Sequence, residues 1–115
     1  MELKEIIKLQ EEFTKEAFPE FWNFKNENDF LYALLYFSNA LCGESGELAN
    51  LVKKIVRDKI YRNLEINFEE YKEKIKEEIA DVFIYIINLS VLLNIDLEKA
   101  FLRKLDINKR RFLWE

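Results

Sequence analysis

Histidine is absent from the 115 residues of this chain, and its absence removes several kinds of chemistry. The chain cannot form a Ser-His-Asp triad, a Cys-His dyad or an imidazole metal site. It cannot form a ferritin-like di-iron site either, because that site needs Glu-x-x-His pairs. There is also no glycine-rich phosphate loop. Any chemistry must therefore come from carboxylates, lysines, arginines, amides or hydroxyls.

Turn-forming residues are also scarce, with only two glycines and one proline. Sheet proteins of this size need more of them, so the composition favours an all-α fold. The length suits a single domain that spans residues 1–115.

The charge and the apolar runs argue against two kinds of partner. The net charge is −4 and the pI is about 5.1, so a broad basic surface for nucleic acid is not expected. No apolar run approaches the length of a membrane span, and the charged N-terminus does not resemble a secretory signal. Cys42 is the single cysteine, which fits a reducing compartment. We expect a cytoplasmic protein without nucleic-acid or membrane partners.

Apolar residues at helical spacing predict four helices, which would pack as a bundle. Pro19 follows the end of the first helix, and Asn28 or Asp29 caps the second. Asn67 begins a sequence resembling a capping box, and Asp96 caps the last helix. The predicted ranges are 2–17, 28–59, 67–93 and 97–111.

Polar residues interrupt the third helix, which is otherwise almost entirely apolar from residue 79 to 93. They are Glu78, Asp81, Tyr85 and Asn88, and their steps of three, four and three place them on one face. Burying a charged group without a partner is costly. This stripe therefore predicts a polar cavity, a cation or a ligand beside the helix.

The second helix carries a matching pair, Glu44 and Glu47. Two Glu-x-x-acid pairs on helices joined by a short connection can meet across an antiparallel helix pair. Four converging carboxylates cannot all stay ionised without a cation, and oxygen ligands favour Mg²⁺, with Mn²⁺ as a substitute. An alternative is that the stripe is a polar seam that fixes helix register in a non-catalytic interaction module. Metal titration separates the two, because a seam should ignore magnesium.

The fourth helix presents Lys104, Asn108 and Arg111 on one face. Cations near a helix C-terminus can simply complement the helix dipole, although Lys104 lies mid-helix. As a binding surface, the same face would offer two cations and an amide to phosphate oxygens.

Taken together, these patterns resemble the MazG-type all-α nucleoside triphosphate pyrophosphatases, with the third and fourth helices most similar to the dCTP pyrophosphatase branch. The resemblance covers roughly residues 30–112. It implies a four-helix-bundle-like MazG fold and an oligomer, either a homodimer or a homotetramer. It is carried by Glu44-x-x-Glu47, Glu78-x-x-Asp81 and Lys104-x-x-x-Asn108-x-x-Arg111.

The resemblance also implies a reaction and roles for these residues. A (d)NTP and water would give a (d)NMP and pyrophosphate, for house-cleaning of non-standard nucleotides or control of the dNTP pool. The four carboxylates would bind magnesium and carry the catalysis. Tyr85, Lys104 and Asn108 match nucleotide contacts, and Arg111 matches a recurrent basic position. A phosphoribosyl-ATP pyrophosphatase-like enzyme of the same superfamily is the nearest alternative.

Two further residues are candidates for substrate binding. Lys54 stands where the dCTP branch has an aromatic residue, which argues against a preference for cytosine. Trp22 could stack on the nucleobase, or it could only plug the end of the bundle. Tyr85, one turn beyond Asp81, is the second candidate for contact with the base or sugar.

Overall fold

A computed structural model describes residues 1–114 of the chain, and within that range it contains helices and no strand. The all-α prediction is therefore confirmed. A 3₁₀ turn at Pro19–Phe21 follows the first helix, and a π-helical turn at Arg57–Tyr61 extends the second. The four α-helices are α1 (Leu3–Ala17), α2 (Glu27–Val56), α3 (Phe68–Leu92) and α4 (Leu97–Phe112).

Polar side chains begin three of these helices by accepting hydrogen bonds from free backbone amides. Asn26 caps α2, so this helix begins before the predicted caps Asn28 and Asp29. The predicted cap Asn67 is confirmed, and its Oδ1 accepts from two amides of the first turn of α3. Asp96 caps α4 as predicted. The start of α2 was misplaced because several cap-forming residues occur together in this segment.

The helices α2 and α3 form a helical hairpin, and α1 packs mainly against α3. The centre of the packing is Phe37 of α2, which is 2% exposed and lies beside the rings of Trp22 and Tyr85. Ala33 and Ile87 complete the fully buried apolar set within residues 1–114. Three polar residues are equally buried, and they are Thr14, Asn88 and Ser90. A core this small and this polar leaves much of the apolar surface of the chain uncovered.

The fourth helix turns away from the other three. Asn94 lies in the left-handed region with φ of 53°, and the chain bends by 105° between α3 and α4. None of the residues of α4 is buried, and the radius of gyration is 18.1 Å, against about 13 Å for a compact domain of this length. Within residues 1–114, no single helix is long and apolar enough to cross a membrane, and α3 and α4 meet that length and composition only together, across their bend.

The two glycines of α2 face open space in the single chain. A Cβ atom placed on Gly43 or Gly46 would meet no other atom within 4 Å. Their helical position suggested close approach by another helix, and residues 1–114 of one chain supply none.

Candidate functional site

Three carboxylates from the two arms of the hairpin meet at its middle. Glu44 and Glu47 come from α2, and Glu78 comes from α3. One oxygen of each lies within 4.8 Å of the oxygens of the other two. The i, i+3 spacing turns both α2 residues toward α3, as the sequence predicts. We call these three residues the acidic cluster.

Within residues 1–114, no salt bridge reaches the carboxylates of the acidic cluster. Burial, followed by the charges of Glu47 and Asp81, raises the pKa of Glu44 above its ordinary value. Burial and then the charge of Glu47 likewise raise the pKa of Glu78. The Oε2 atoms of Glu44 and Glu78 are buried and have no hydrogen-bond partner. Because unpartnered buried oxygens are costly, this donor set fits a hard divalent cation.

The fourth predicted carboxylate, Asp81, lies beside the acidic cluster. It is close enough for its charge to raise the pKa of Glu44 and of Glu78. It is not among the three residues whose oxygens converge within 4.8 Å. Its position is one turn along α3 from Glu78, half-buried, where it lines a neighbouring cavity.

That neighbouring space, the aromatic cavity, lies among α1, α2 and α3. Its volume is about 190 Å³, and Glu44 and Asp81 line it together with amide and hydroxyl groups of Gln10, Thr14 and Asn88. Phe21 and Tyr36 stack with their ring centroids 4.4 Å apart. Flat apolar walls of this kind suit a nucleobase or another flat ring. The aromatic side chains that line the cavity are Phe13, Phe18, Phe21, Tyr36, Phe37 and Tyr85.

Tyr85 joins the aromatic cavity to the acidic cluster. Burial, and after it the neighbouring Tyr36 and Glu44, raises the pKa of the Tyr85 hydroxyl. The hydroxyl therefore stays protonated at neutral pH and can donate a hydrogen bond to a ligand. Its predicted place on the stripe with Asp81 agrees with the lining of the cavity.

A second, polar space lies further along the hairpin, and we call it the lysine cavity. Its volume is about 260 Å³, and Glu47, Glu78, Lys54 and Lys74 are among the residues that line it. Along α2 the order is aromatic cavity, acidic cluster and lysine cavity, and α3 gives the same order in reverse. An anionic chain bound across the acidic cluster would therefore have flat rings at one end and two cations at the other.

The predicted residues of α4 do not reach this site in the single chain. Lys104, Asn108 and Arg111 are all exposed, and none of them lines the aromatic or the lysine cavity. Their helix has no extensive packing on α1, α2 or α3 within residues 1–114.

Trp22 lies next to the aromatic cavity without lining it. Its Nε1 donates to the Thr14 hydroxyl at 3.3 Å, and its ring centroid lies 5.4 Å from that of Phe37. The neighbouring Phe21 lines the cavity instead. The contacts of Trp22 within the chain are those of a packing residue, and its stacking on a base stays a prediction.

Several residues of the two cavities were not predicted as site residues, among them Gln10, Thr14 and Lys74. Gln10 had a signal, because it is a polar residue within the apolar stripe of α1. Lys74 had none, since it stands in a stretch of alternating lysines and glutamates that looks like solvated surface. Only the pairing of α3 with α2 brings it beside Lys54.

Within residues 1–114 the chain is all-helical and carries a Glu-x-x-acid pair on each of two packed helices, and comparison with known proteins identifies its family. Residues 34–112 match the model of the MazG nucleotide pyrophosphohydrolase domain. This match spans more than half of the chain, so the chain belongs to the MazG family. Nothing in the comparisons distinguishes a branch, and similarity to the dCTP pyrophosphatases stays a prediction.

One relative is the Gene 37 protein of Mycobacterium phage L5. It is 35% identical to this chain over 78 residues, which cover 68% of this chain and 65% of the phage protein. The matched region therefore spans a little under two thirds of that relative. No solved structure matches the chain.

Proposed function

We propose that this protein is a divalent-metal-dependent nucleoside triphosphate pyrophosphohydrolase, which converts a (d)NTP and water to a (d)NMP and pyrophosphate. The observation that carries the proposal is the acidic cluster, with its unpartnered oxygens on Glu44 and Glu78. This cluster lies between the aromatic cavity and the lysine cavity. Membership of the MazG family supports the same reaction class.

Glu44, Glu47 and Glu78, with Asp81 beside them, would hold Mg²⁺, or Mn²⁺ as a substitute. When bound, such an ion neutralises triphosphate charge and makes the phosphorus more electrophilic. Glu47 is the exposed member of the acidic cluster, so it is the one best placed to meet solvent water.

The chain's own groups would place the substrate along the hairpin. The aromatic cavity would take the nucleoside, with the Tyr85 hydroxyl donating to it. Water would attack the α phosphorus, the bond from that phosphorus to the α–β bridging oxygen would break, and Glu47 would accept the water proton. Lys54 and Lys74 would stabilise charge on the departing pyrophosphate.

The cationic face of α4 would enter such a site from a second copy of the chain. Lys104, Asn108 and Arg111 lie away from the acidic cluster of their own chain, while α4 also exposes apolar side chains. Phe101 is 61% exposed and Phe112 is 69% exposed, which is unfavourable for a free monomer. We propose a homodimer or homotetramer in which α4 packs on another copy and brings these polar groups to its site.

One alternative is disfavoured by the buried oxygens of the acidic cluster, and a second differs from the proposal only in its substrate. A polar seam in a non-catalytic module would pair its buried polar atoms, whereas Oε2 of Glu44 and of Glu78 are unpaired. A phosphoribosyl-ATP pyrophosphatase-like enzyme would use the same carboxylates on a larger substrate, so only the substrate distinguishes it. We place the protein in the cytoplasm, acting on non-standard nucleotides or on the dNTP pool.

The test is a screen of ribo- and deoxyribonucleoside triphosphates and phosphoribosyl-ATP with Mg²⁺, in which every product is identified by ³¹P NMR. We expect at least one triphosphate to give monophosphate and pyrophosphate, and activity should be lost with EDTA. In oxygen-18-labelled water, the label should appear in the nucleoside monophosphate if the α phosphorus is attacked. Formation of nucleoside diphosphate and orthophosphate would contradict the proposal.

A further inference from the structure

Two amide side chains face each other at the end of the aromatic cavity away from the lysine cavity. Gln10 of α1 donates from Nε2 to Oδ1 of Asn88 on α3, at 3.2 Å. Asn88 is only 4% exposed and Gln10 is half-buried, and both line the aromatic cavity. We call these two residues the amide pair.

Each member of the amide pair keeps a hydrogen-bonding group that this contact does not use. In the contact described, one N–H of Gln10 and the carbonyl oxygen of Asn88 are used, which leaves the Gln10 Oε1 acceptor and the Asn88 Nδ2 donors. If both amides rotate by half a turn, the contact survives with its direction reversed. Gln10 then offers the donor and Asn88 offers the acceptor. The pair can therefore present two opposite hydrogen-bonding patterns without losing its own bond.

The Thr14 hydroxyl on the α1 side of the cavity already has one hydrogen-bond partner. The Thr14 hydroxyl accepts from Trp22 Nε1 at 3.3 Å. Glu44 and Asp81 line the cavity where it meets the acidic cluster, where the phosphates of a bound nucleotide would begin. A ring inserted between the aromatic walls would find the amide pair at the end of the cavity away from the phosphates, where the pair offers an acceptor and donors.

From this arrangement we propose that the amide pair reads the hydrogen-bonding edge of the nucleobase. This inference rests on the proposed function and adds how the base is selected. Cytosine and adenine present an amino donor beside a ring-nitrogen acceptor, and uracil, thymine and guanine present a carbonyl acceptor beside a ring N–H. One orientation of the amide pair complements the first group, and the reversed orientation complements the second. The neutral pair accepts both classes, and a change at either residue biases the choice.

The sharpest test replaces each amide with its isosteric carboxylate. Gln10→Glu and Asn88→Asp each turn one member into an acceptor only, so the partner amide must donate to it. A carboxylate opposite the exocyclic group favours amino bases, and a carboxylate opposite the ring nitrogen favours keto bases. The two variants should therefore change the ratio of kcat/KM for dCTP over dUTP in opposite directions, each by about tenfold. These two substrates carry the same sugar and the same charge.

The ratio cancels a general effect of the added charge, because that effect weakens both nucleotides alike. Asn39→Asp adds the same charge on an exposed position of α2 and should leave the ratio unchanged. Ratios that shift in the same direction in both cavity variants, or that do not shift, would overturn the proposal. If no triphosphate is hydrolysed by the parent protein, the proposed function itself has failed, which is a distinguishable result.

A measurement on the unaltered protein covers the case in which a variant does not fold. The deoxyribonucleoside triphosphate of 2-pyrimidinone lacks the exocyclic group at C4, which is the amino group of cytosine and the carbonyl of uracil. It should have a kcat/KM about tenfold or more below the better of dCTP and dUTP, because a buried amide loses its partner. An equal kcat/KM for this analogue would show that the amide pair does not read the base.

Discussion

The α2–α3 hairpin and α4 carry comparable polar stripes, but only the hairpin assembles its stripe within one chain. In the hairpin, carboxylates from both helices converge within 4.8 Å. On α4, Lys104, Asn108 and Arg111 share an exposed face that lines neither the aromatic nor the lysine cavity. Residue spacing therefore predicts which side chains share a face, while the presence of a packed partner decides whether that face becomes a site.

The difference has a structural cause in the connections. A short segment at residues 62–67 returns the chain so that α3 packs along α2. The bend of 105° at Asn94 instead directs α4 away, with its aromatic residues uncovered. The two arms of the hairpin thus pack on each other, and α4 is left without extensive packing within residues 1–114.

The largest effect should come from the carboxylates that the hairpin brings together. We expect Glu44→Gln or Glu78→Gln to lower kcat/KM by about a hundredfold or more, since even outer-shell changes at metal sites cost 10–100-fold. The metal-free variants should be at least as stable as the parent, because an ionised group with a raised pKa and no partner is removed.

Thermal unfolding with and without Mg²⁺ checks this prediction. Magnesium should raise the Tm of the parent and have much less effect on either variant. Glu69→Gln is the matched control, because Glu69 is exposed on the same helix and lines neither the aromatic nor the lysine cavity. An equal magnesium shift in all four proteins would show that the cluster does not bind the ion.

The second prediction concerns α4, which would gain a packed partner, as α2 and α3 have in each other, if it associates with a second copy of the chain. If a second copy covers α4, Phe101→Glu should convert a dimer or tetramer to monomer at micromolar concentration, because a charge would be buried in the interface. Sedimentation velocity measures this directly. Arg103→Gln makes the same change in net charge from a different face of α4 and should leave the assembly intact. A parent that is already monomeric would contradict the proposed association.

Mixing two inactive variants tests whether copies share a site. Lys104→Ala removes one cation of α4, and Glu44→Gln removes one carboxylate of the acidic cluster. Mixed and re-equilibrated oligomers should regain activity that neither variant has alone, because one copy can supply an intact α4 to an intact cluster. Activity that never returns would place Lys104 outside the shared site.

The sequence was sufficient for the four helices, apart from the start of α2, and for three of the four carboxylates predicted to meet across the hairpin. Caps such as Asn67, and the acids at i, i+3 spacing, are local signals that need no knowledge of the tertiary fold. The aromatic cavity was harder to predict from the sequence, because Gln10, Phe21 and Asn88 come from three different segments. Their convergence depends on how α1 crosses α3, which no single stretch of sequence specifies. The orientation of α4 was equally hard to predict, since it depends on the backbone conformation of the short break around Asn94 between α3 and α4.

A third and smaller effect should appear at the lysine cavity. Lys74→Ala should lower kcat/KM for a nucleoside triphosphate by about tenfold, as expected for one lost phosphate contact worth about 1.4 kcal/mol. Lys72→Ala, on the same helix but outside the cavity, should have no such effect. Steady-state kinetics of both variants, with Tm as the check on folding, distinguishes a phosphate contact from a surface charge. Equal losses in both variants would remove Lys74 from the site.

The smallest effect concerns what holds the end of the hairpin together. Asp58 accepts from Arg57 Nε at 3.0 Å and from the Tyr71 hydroxyl at 3.4 Å, and Arg57 is the main cause of the lowered pKa of this carboxyl. A lowered folded-state pKa contributes stability above the ordinary carboxyl pKa, and this contribution disappears as the pH falls through the folded value. Asp58→Asn should therefore lower the Tm by a few degrees at most at neutral pH.

The difference between parent and Asp58→Asn should shrink as the solution is acidified below the ordinary range of carboxyl groups. Thermal scans over a pH series measure it. Asp106→Asn offers a control, because Asp106 pairs only with an exposed arginine on the isolated α4. A difference that grows on acidification would contradict the assigned role of Asp58.

The outward bend at Asn94 also has a consequence for the time course of folding. The hairpin forms from segments close in the chain, and such local contacts form quickly and at a rate independent of protein concentration. If α4 packs on a second copy, as proposed, that step requires two chains to collide and speeds up as the protein is made more concentrated. After dilution from denaturant, helical circular dichroism should return first. Nucleotide hydrolysis should return later, with a half-time that shortens as more protein is present.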